Sequence, residues 1–416
     1  MHKIKIHHAQ LAQNLNVELP ASKSISNRLL MLQFTANNNL IINNLSNSED
    51  TLIFASQLSK IRHCSPDSIT NINVGNCGAA YRFLCSCLAN IKGKWILEGN
   101  EQLSHRPIEP LITDLQAVGA NVQCLQKYPH PILQIEGKNL NFNNIHVNTS
   151  LSSQYLSSIL LSLPLVGQDI VVNFEQPTLS QQYVEMTIKL MQQIGIQIVR
   201  KENLIFYKHS SFLAPQTVVV EQDWSAAAVW FVWVALSKNA KVQIKGLQKS
   251  DIQKDNIIAD HVEPFGVKTT YTSQGVAICK ISAQQPSQLL LDCANNPDLV
   301  PYLAVLCAGS RTPAIFYNVD NLAFKESNRI ESMQKNLSLW ADIKHDNHCL
   351  RLSPTTKSIP QTVEFQTFND HRMAMAFSAL SQKCSQIVIN NPNCVKKSYP
   401  TFWAELSKKI EIPCKK

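Results

Sequence analysis

The stretch LPASKSISNRLLMLQF sets Lys23 and Arg28 at the head of an apolar run that reads as a buried helix, with Ser22 or Ser24 able to cap it. A helix N-terminus already carries partial positive charge. Two cations there oppose it, each by roughly 0.3–1 kcal/mol. A solvated surface explains one such helix. An anion held by the cations and the unpaired N–H groups together explains several. The placement recurs with Arg82 in GNCGAAYR, Arg106 in LSHRPIEPL, Arg372 in NDHRMAMAF and the pair Lys396 and Lys397 in NPNCVKKSYP. In NLAFKESNRIESM, Lys325 and Arg329 stand four apart, which predicts one helical face and a need for something to neutralise them. Two acids join them. Asp298, directly before the run LVPYLAVL, reads either as a plain N-cap or as a general base among cations. Glu326 reads as a solvated partner or a proton-transfer group.

Positioning so many charges requires a repeated element. Runs headed by small polar residues begin near Gly78, Ser152, Ser225, Asp298 and His371, spaced 73 or 74 residues apart, and Ser24 precedes Gly78 by 54. Each reads as a helix that is apolar on nearly every face and therefore buried. Alternating or β-branched runs such as QDIVVNFE, KVQIKGL and QTVVVEQ read as strands between them. YVEMTIKLMQQIG and NRIESMQKNLSLWADI read as amphipathic helices. Such regular spacing predicts an internal structural repeat of six βαβ-type units, grouped as two α/β domains of three. The chain would cross between them near Pro20 and again near Glu221–Asp223. Buried helices that present their N-termini at one end of each domain would make an anion site where the two domains face each other.

Composition narrows the classes. The chain has 416 residues, 44% hydrophobic and 16% charged, more than one ordinary core accommodates. No apolar run approaches a membrane span, and the start MHKIKIHHAQ has no signal-peptide core, so a cytoplasmic location is expected. The twelve cysteines are scattered, several inside apolar runs like RFLCSCLA, and read as core thiols of a reducing compartment. A net charge of +8 suits anionic partners. Dispersed lysines without interleaved aromatic residues argue against nucleic acid. KHDNHC holds metal-ligand residue types at no zinc spacing and reads as a polar hairpin turn.

Taken in order, PASKSISNR, GNCGAAYR, HRPI, SSQYL, SQQYVEMT, NPDLVPYLA, NLAFKESNRIESM, NDHRMAMAF and KKSYPTFW resemble the 5-enolpyruvylshikimate-3-phosphate (EPSP) synthase family along the whole chain. The resemblance implies two similar domains, each of three βαβαββ units. One would be residues 1–20 with 222–416 and the other 21–221, with the active site in the cleft between them. It implies transfer of the enolpyruvyl group of phosphoenolpyruvate to the 5-hydroxyl of shikimate 3-phosphate, through a tetrahedral intermediate, by a cytoplasmic monomer that needs no metal or cofactor. Lys23, Ser24, Arg28, Ser152, Ser153, Gln154, Ser180, Tyr183, Asp298, Asn321 and Lys325 would hold shikimate 3-phosphate. Lys23, Gly78, Arg106, Gln154, Arg329, Arg372 and Lys397 would surround phosphoenolpyruvate. Asp298, Glu326 and Lys23 would move protons. The sequence departs from the family pattern at Ala79 and Phe83, where threonine and proline are usual. Gln102 and Ser104 stand where basic residues usually precede Arg106. Two alternatives stand beside this reading: the sister transferase acting on UDP-N-acetylglucosamine, and a non-catalytic anion-binding repeat protein.

Overall fold

A computed structural model of the chain describes residues 2–36, 40–175, 180–210 and 216–411. The chain divides into two compact units. One is Met1–Ser22 with Glu221–Lys416, and the other is Lys23–Val220.

The repeat takes a definite form inside Lys23–Val220. Strand Ile69–Asn73, helix Gly78–Ala89, strand Gly93–Glu98, helix Glu109–Ala117 and the hairpin strands Asn121–Gln126 and Ile132–Gly137 follow one another. The first two strands pair in parallel and the last returns antiparallel to the second. Strands Asn144–Val147, Ile170–Phe174, Gln197–Lys201 and Leu204–Lys208, with helices Ser153–Ser162 and Gln182–Gln193, repeat that order and pairing. A shorter third copy opens with helix Lys23–Thr35. Its strand Ile41–Asn43 pairs in parallel with Thr217–Val219.

The other unit holds the same pattern. Strands Leu289–Asp292, Ala314–Tyr317, Ala341–Asp346 and Cys349–Pro354 enclose helices Val300–Ser310 and Arg329–Asn336. In another copy the first strand is supplied by the N-terminal segment, with Leu15–Val17 running parallel to Lys241–Lys245. Lys3–His7 likewise joins Gln386–Asn390, antiparallel. The mixed α/β repeat read from the spacing is therefore present, and the N-terminal strands lie with the C-terminal half.

The buried helices are buried for the reason their composition predicts. Trp224–Leu236 has no polar face, and Trp224, Trp230 and Trp233 are fully enclosed. Its cap is Asp223, whose Oδ1 accepts from the Ala226 N–H at 3.0 Å, two residues before the Ser225 start expected. Asp370 caps His371–Ser378 in the same way, at 2.9 Å from the Arg372 N–H. Ser152 caps Ser153–Ser162. The amphipathic helix expected over NRIESMQKNLSLWADI stops at Asn336, and Ala341 already begins a strand. KHDNHC is the expected hairpin, with Asn347 and His348 in the left-handed region at φ 44° and 63°. Burial pushes the Cys85 thiol up to about 12, which makes it an inert core residue. No helix among the described residues is long and apolar enough to cross a membrane.

Candidate functional site

Arg329 organises the charges of the unit formed by Met1–Ser22 and Glu221–Lys416. Asn328 caps the helix by accepting from the Glu331 N–H, so the helix begins at Arg329. Lys325 lies outside it in extended backbone, at the end of the 3-10 turn Asp320–Phe324. The expectation of Lys325 and Arg329 on one helical face is corrected by that cap. Arg329 is wholly buried and its guanidinium meets three carboxylates. Nε donates to Asp370 Oδ2 at 2.8 Å, Nη1 to Asp298 Oδ1 at 2.7 Å and Nη2 to Glu326 Oε2 at 3.0 Å. Burial alone would lower its pKa, but Asp370, Asp298 and Glu326 outweigh burial and raise it.

Asp298 is not the helix cap that its position allowed. It sits in the 3-10 turn Pro297–Leu299 before helix Val300–Ser310, and its carboxylate bridges two arginines. Arg372 Nη2 donates to its second oxygen at 2.9 Å. Burial would push the Asp298 carboxyl up, yet Arg372, Arg329 and Lys325 together hold it well below the usual carboxylate range. Arg372 stands in the first turn of its helix, and Lys397 is buried in the 3-10 turn Pro392–Lys397. Asn321 is buried in the turn that ends at Lys325. Asp298, Glu326, Arg329 and Arg372 thus form one contiguous ion-pair cluster, with Lys325 close enough to act on Asp298.

In Lys23–Val220, Lys23, Ser24, Gly78, Ser152, Ser153 and Gln154 lie at the starts of successive helices. Lys23 opens the first and pairs with the buried Asp50 at 3.2 Å. Gly78 opens the next, and the guanidinium of Arg106 lies directly on it. A Cβ on Gly78 would stand 2.3 Å from Arg106 Nη1 and 2.7 Å from its Cζ. Only a residue without a side chain allows that approach. Ser152, Ser153 and Gln154 form the start of a third helix. The Gln154 Oε1 is buried with no partner among the described residues. Ser180 is held at φ 58°, an uncommon conformation for a serine, and its carbonyl accepts from the Tyr183 N–H at 3.1 Å.

Two cations are placed otherwise than their motifs imply. Arg82 lies inside the fold, where Nη1 and Nη2 donate to the carbonyls of Gly78 at 3.1 Å and Pro107 at 2.6 Å. Burial, with Arg106 nearby, brings its pKa down to about 10. Arg28 donates four of its five N–H groups within the unit. They go to Thr187 Oγ1 at 2.8 Å, Ser24 O at 3.0 Å, Tyr183 O at 3.2 Å and Ser157 Oγ at 3.4 Å. Its ring contacts are with Phe83 and Tyr183. Both arginines are first of all structural, and among the described residues Arg28 has acceptors for four of its five N–H groups. Sequence reasoning missed Asp370 and Asp50, the partners of Arg329 and Lys23. Asp370 was legible as an acid directly before a buried helix. Its second role, 41 residues from Arg329, has no local signature.

The sequence profile of the family described as EPSP synthase (3-phosphoshikimate 1-carboxyvinyltransferase) matches residues 9–406. A 3-phosphoshikimate 1-carboxyvinyltransferase of Bacteroides fragilis is 31% identical over 396 residues, covering 94% of each chain. One of Neisseria gonorrhoeae is 30% identical over 417 residues, covering 95% of this chain and 96% of the relative. The fold is similar to EPSP synthase from Acinetobacter baumannii, with a TM-score of 0.76 at 20% identity over 98% of this chain and 99% of that one. It is also similar to the enolpyruvyl transferase NikO from Streptomyces tendae, with a TM-score of 0.70 at 13% identity over 98% of each chain.

The Arg329 cluster makes a prediction about stability. Arg329→Leu leaves three carboxylates facing one another without their central cation, one of them fully buried. The expected cost is about 3–5 kcal/mol, or a melting temperature lower by roughly 5 °C. Thermal unfolding at neutral pH checks this. A variant that melts with the parent would show that the cluster does not hold the fold.

Proposed function

The chain belongs to the EPSP synthase (3-phosphoshikimate 1-carboxyvinyltransferase) family, and from that premise we propose that it transfers the enolpyruvyl group of phosphoenolpyruvate to the 5-hydroxyl of shikimate 3-phosphate, with release of phosphate. Shikimate-pathway transfer of this kind leads to chorismate and the aromatic amino acids. The observation that carries the reading to this chain's own residues is Asp298 clamped between Arg329 and Arg372, with Glu326 on the same guanidinium. Anion binding alone gains nothing from carboxylates set among the cations; a reaction with two proton movements does.

The chemistry assigns each group a task. In the addition, the substrate 5-hydroxyl gives up its proton and its oxygen bonds to C2 of phosphoenolpyruvate, while C3 takes a proton and becomes a methyl group. In the elimination, phosphate departs from C2 with its bonding electrons and the methyl group returns a proton. The two steps move protons in opposite senses, which suits a pair of carboxylates. Asp298 and Glu326 fill those roles, with Lys23 as an auxiliary acid. Two phosphates and a carboxylate crowd together in the reacting pair, so Arg106, Arg329, Arg372 and Lys397 offset repulsion around phosphoenolpyruvate. Gln154 lies between the two substrates. Ser24, Ser152, Ser153, Ser180, Tyr183, Asn321 and Lys325 hold shikimate 3-phosphate, joined by the remaining N–H of Arg28. These residues are divided between the two units.

The ion pairs add a condition. An incoming anion competes with Asp298 for Arg329 and Arg372. Sharing those arginines weakens the force that depresses the Asp298 pKa, so substrate binding itself makes Asp298 a better proton acceptor. We further propose a cytoplasmic monomer; the cytoplasmic part is supported by the free cysteines, most of them buried.

A phosphate-release assay with phosphoenolpyruvate and shikimate 3-phosphate, run beside UDP-N-acetylglucosamine, tests the reading. Release with shikimate 3-phosphate alone is expected. Release only with the sugar nucleotide, or with neither, overturns it. In the same assay Asp298→Asn should lower turnover by roughly 10²–10⁴-fold, the usual worth of a positioned acid or base. Its affinity for shikimate 3-phosphate, read by calorimetry, should change little. Near-parental turnover would remove Asp298 from the proton path. Gly78→Ala should push Arg106 aside and raise the Michaelis constant for phosphoenolpyruvate roughly tenfold, about one charge-assisted hydrogen bond, while the melting temperature holds. An unchanged constant would mean that Arg106 does not act from its seat on Gly78.

A further inference from the structure

A carboxylate outside the residues assigned above is gripped by two imidazoles. Asp320 opens the 3-10 turn Asp320–Phe324. Its Oδ1 lies 3.1 Å from His345 Nε2, and its Oδ2 is hydrogen-bonded to His348 Nδ1. His345 belongs to strand Ala341–Asp346, and His348 to the tight turn that joins it to Cys349–Pro354. The same turn also holds the preceding residue, since the Val319 N–H donates to His348 O at 3.2 Å. The hairpin therefore grips this segment twice, at the main chain of Val319 and at both side-chain oxygens of Asp320.

The gripped segment is the one that carries Asn321 and Lys325. Between strand Ala314–Tyr317 and helix Arg329–Asn336, its regular structure is a single 3-10 turn, closed by the Leu322 N–H on Val319 O at 2.9 Å. Residues outside a ladder or an α-helix take their position from side-chain anchors. Val319 and Leu322 anchor the turn in the core, and Asn318 Nδ2 ties its start to Asp292 Oδ1 at 2.9 Å. Those contacts fix depth. The double hold on Asp320 restricts rotation, because each carboxylate oxygen is held by a different ring. Asp320 and His348 are 45% and 76% exposed at their side chains, so the clamp adds little to global stability. Its effect is local, on the residue next to it and on the lysine at the end of the same turn.

We propose that His345 and His348, acting through Asp320, are positioning residues for the contacts that Asn321 and Lys325 make with shikimate 3-phosphate. The inference rests on the enolpyruvyl-transfer reading. The two rings donate from different nitrogens, Nε2 in His345 and Nδ1 in His348, and this provides a sharp test. A glutamine amide reaches the place of an imidazole Nε2, and an asparagine amide the place of Nδ1.

Steady-state kinetics of the full chain are compared for the parent, the double variant His345→Ala with His348→Ala, and the double variant His345→Gln with His348→Asn. The alanine pair is expected to raise the Michaelis constant for shikimate 3-phosphate about three- to tenfold, the loss of roughly one net hydrogen bond. The constant for phosphoenolpyruvate and kcat should stay near the parent's. The amide pair should recover most of the loss. An alanine pair with an unchanged constant for shikimate 3-phosphate overturns the proposal. So does a loss spread over all three parameters, and so does a loss that the amide pair fails to recover. No turnover in the parent would defeat the transfer reading and this inference together, whereas a working parent with an indifferent alanine pair defeats the inference alone.

Discussion

A guanidinium shut away from water needs its charge answered at hydrogen-bonding distance, because an unpaired buried charge costs far more than any single contact returns. Arg329 meets that demand with Asp298, Glu326 and Asp370, drawn from a 3-10 turn, the segment before its own helix and the cap of another helix. The requirement therefore ties three pieces of chain to one point. It also sets the two acids proposed to move protons within reach of the arginines proposed to hold phosphoenolpyruvate. Fold stability and site geometry here rest on the same interactions.

The charge balance changes how the anion site is understood. The sequence motifs show cations gathered at helix starts. The structure shows three of those cations answered by the protein's own acids, with Asp298 on Arg329 and Arg372, and Asp50 on Lys23. On the proposed reading, phosphoenolpyruvate would exchange with carboxylates rather than fill an uncompensated positive region. Exchange of this kind would carry a smaller net electrostatic gain on binding, and it would couple occupancy to the protonation state of Asp298. Arg28 and Arg82 show the limit of reading function from residue type. Both are cations in the right motifs, and both donate chiefly to groups of the fold itself.

The repeat was legible in the sequence because burial leaves a periodic mark. A helix with no polar face, such as Trp224–Leu236, is hard to mistake, and its recurrence every 73 or 74 residues counts the units. Local chemistry was less legible where two rules compete. Asp298 occupies a position that suits an N-cap, and ion pairing took it instead, because two buried arginines outbid one backbone N–H. Lys325 and Arg329 have helical spacing, and the cap at Asn328 started the helix between them. Partners distant in the chain left no trace. Nothing near Asp50, Asp370 or Asp320 announces Lys23, Arg329 or the two histidines of the hairpin.

That Asp298 is a carboxylate held ionised by arginines, and not a helix cap, is open to direct measurement by NMR titration of carboxyl-labelled aspartate, its resonance assigned by its disappearance in Asp298→Asn. A depressed folded-state pKa means that the group stays ionised as the pH falls through the ordinary aspartate value of about 3.9, and the stability it lends is lost only below that. The account predicts that the Asp298 signal keeps its ionised shift from neutral pH down to about 4 while exposed aspartates begin to titrate. An Asp298 signal that moves with the exposed ones, or before them, would contradict it.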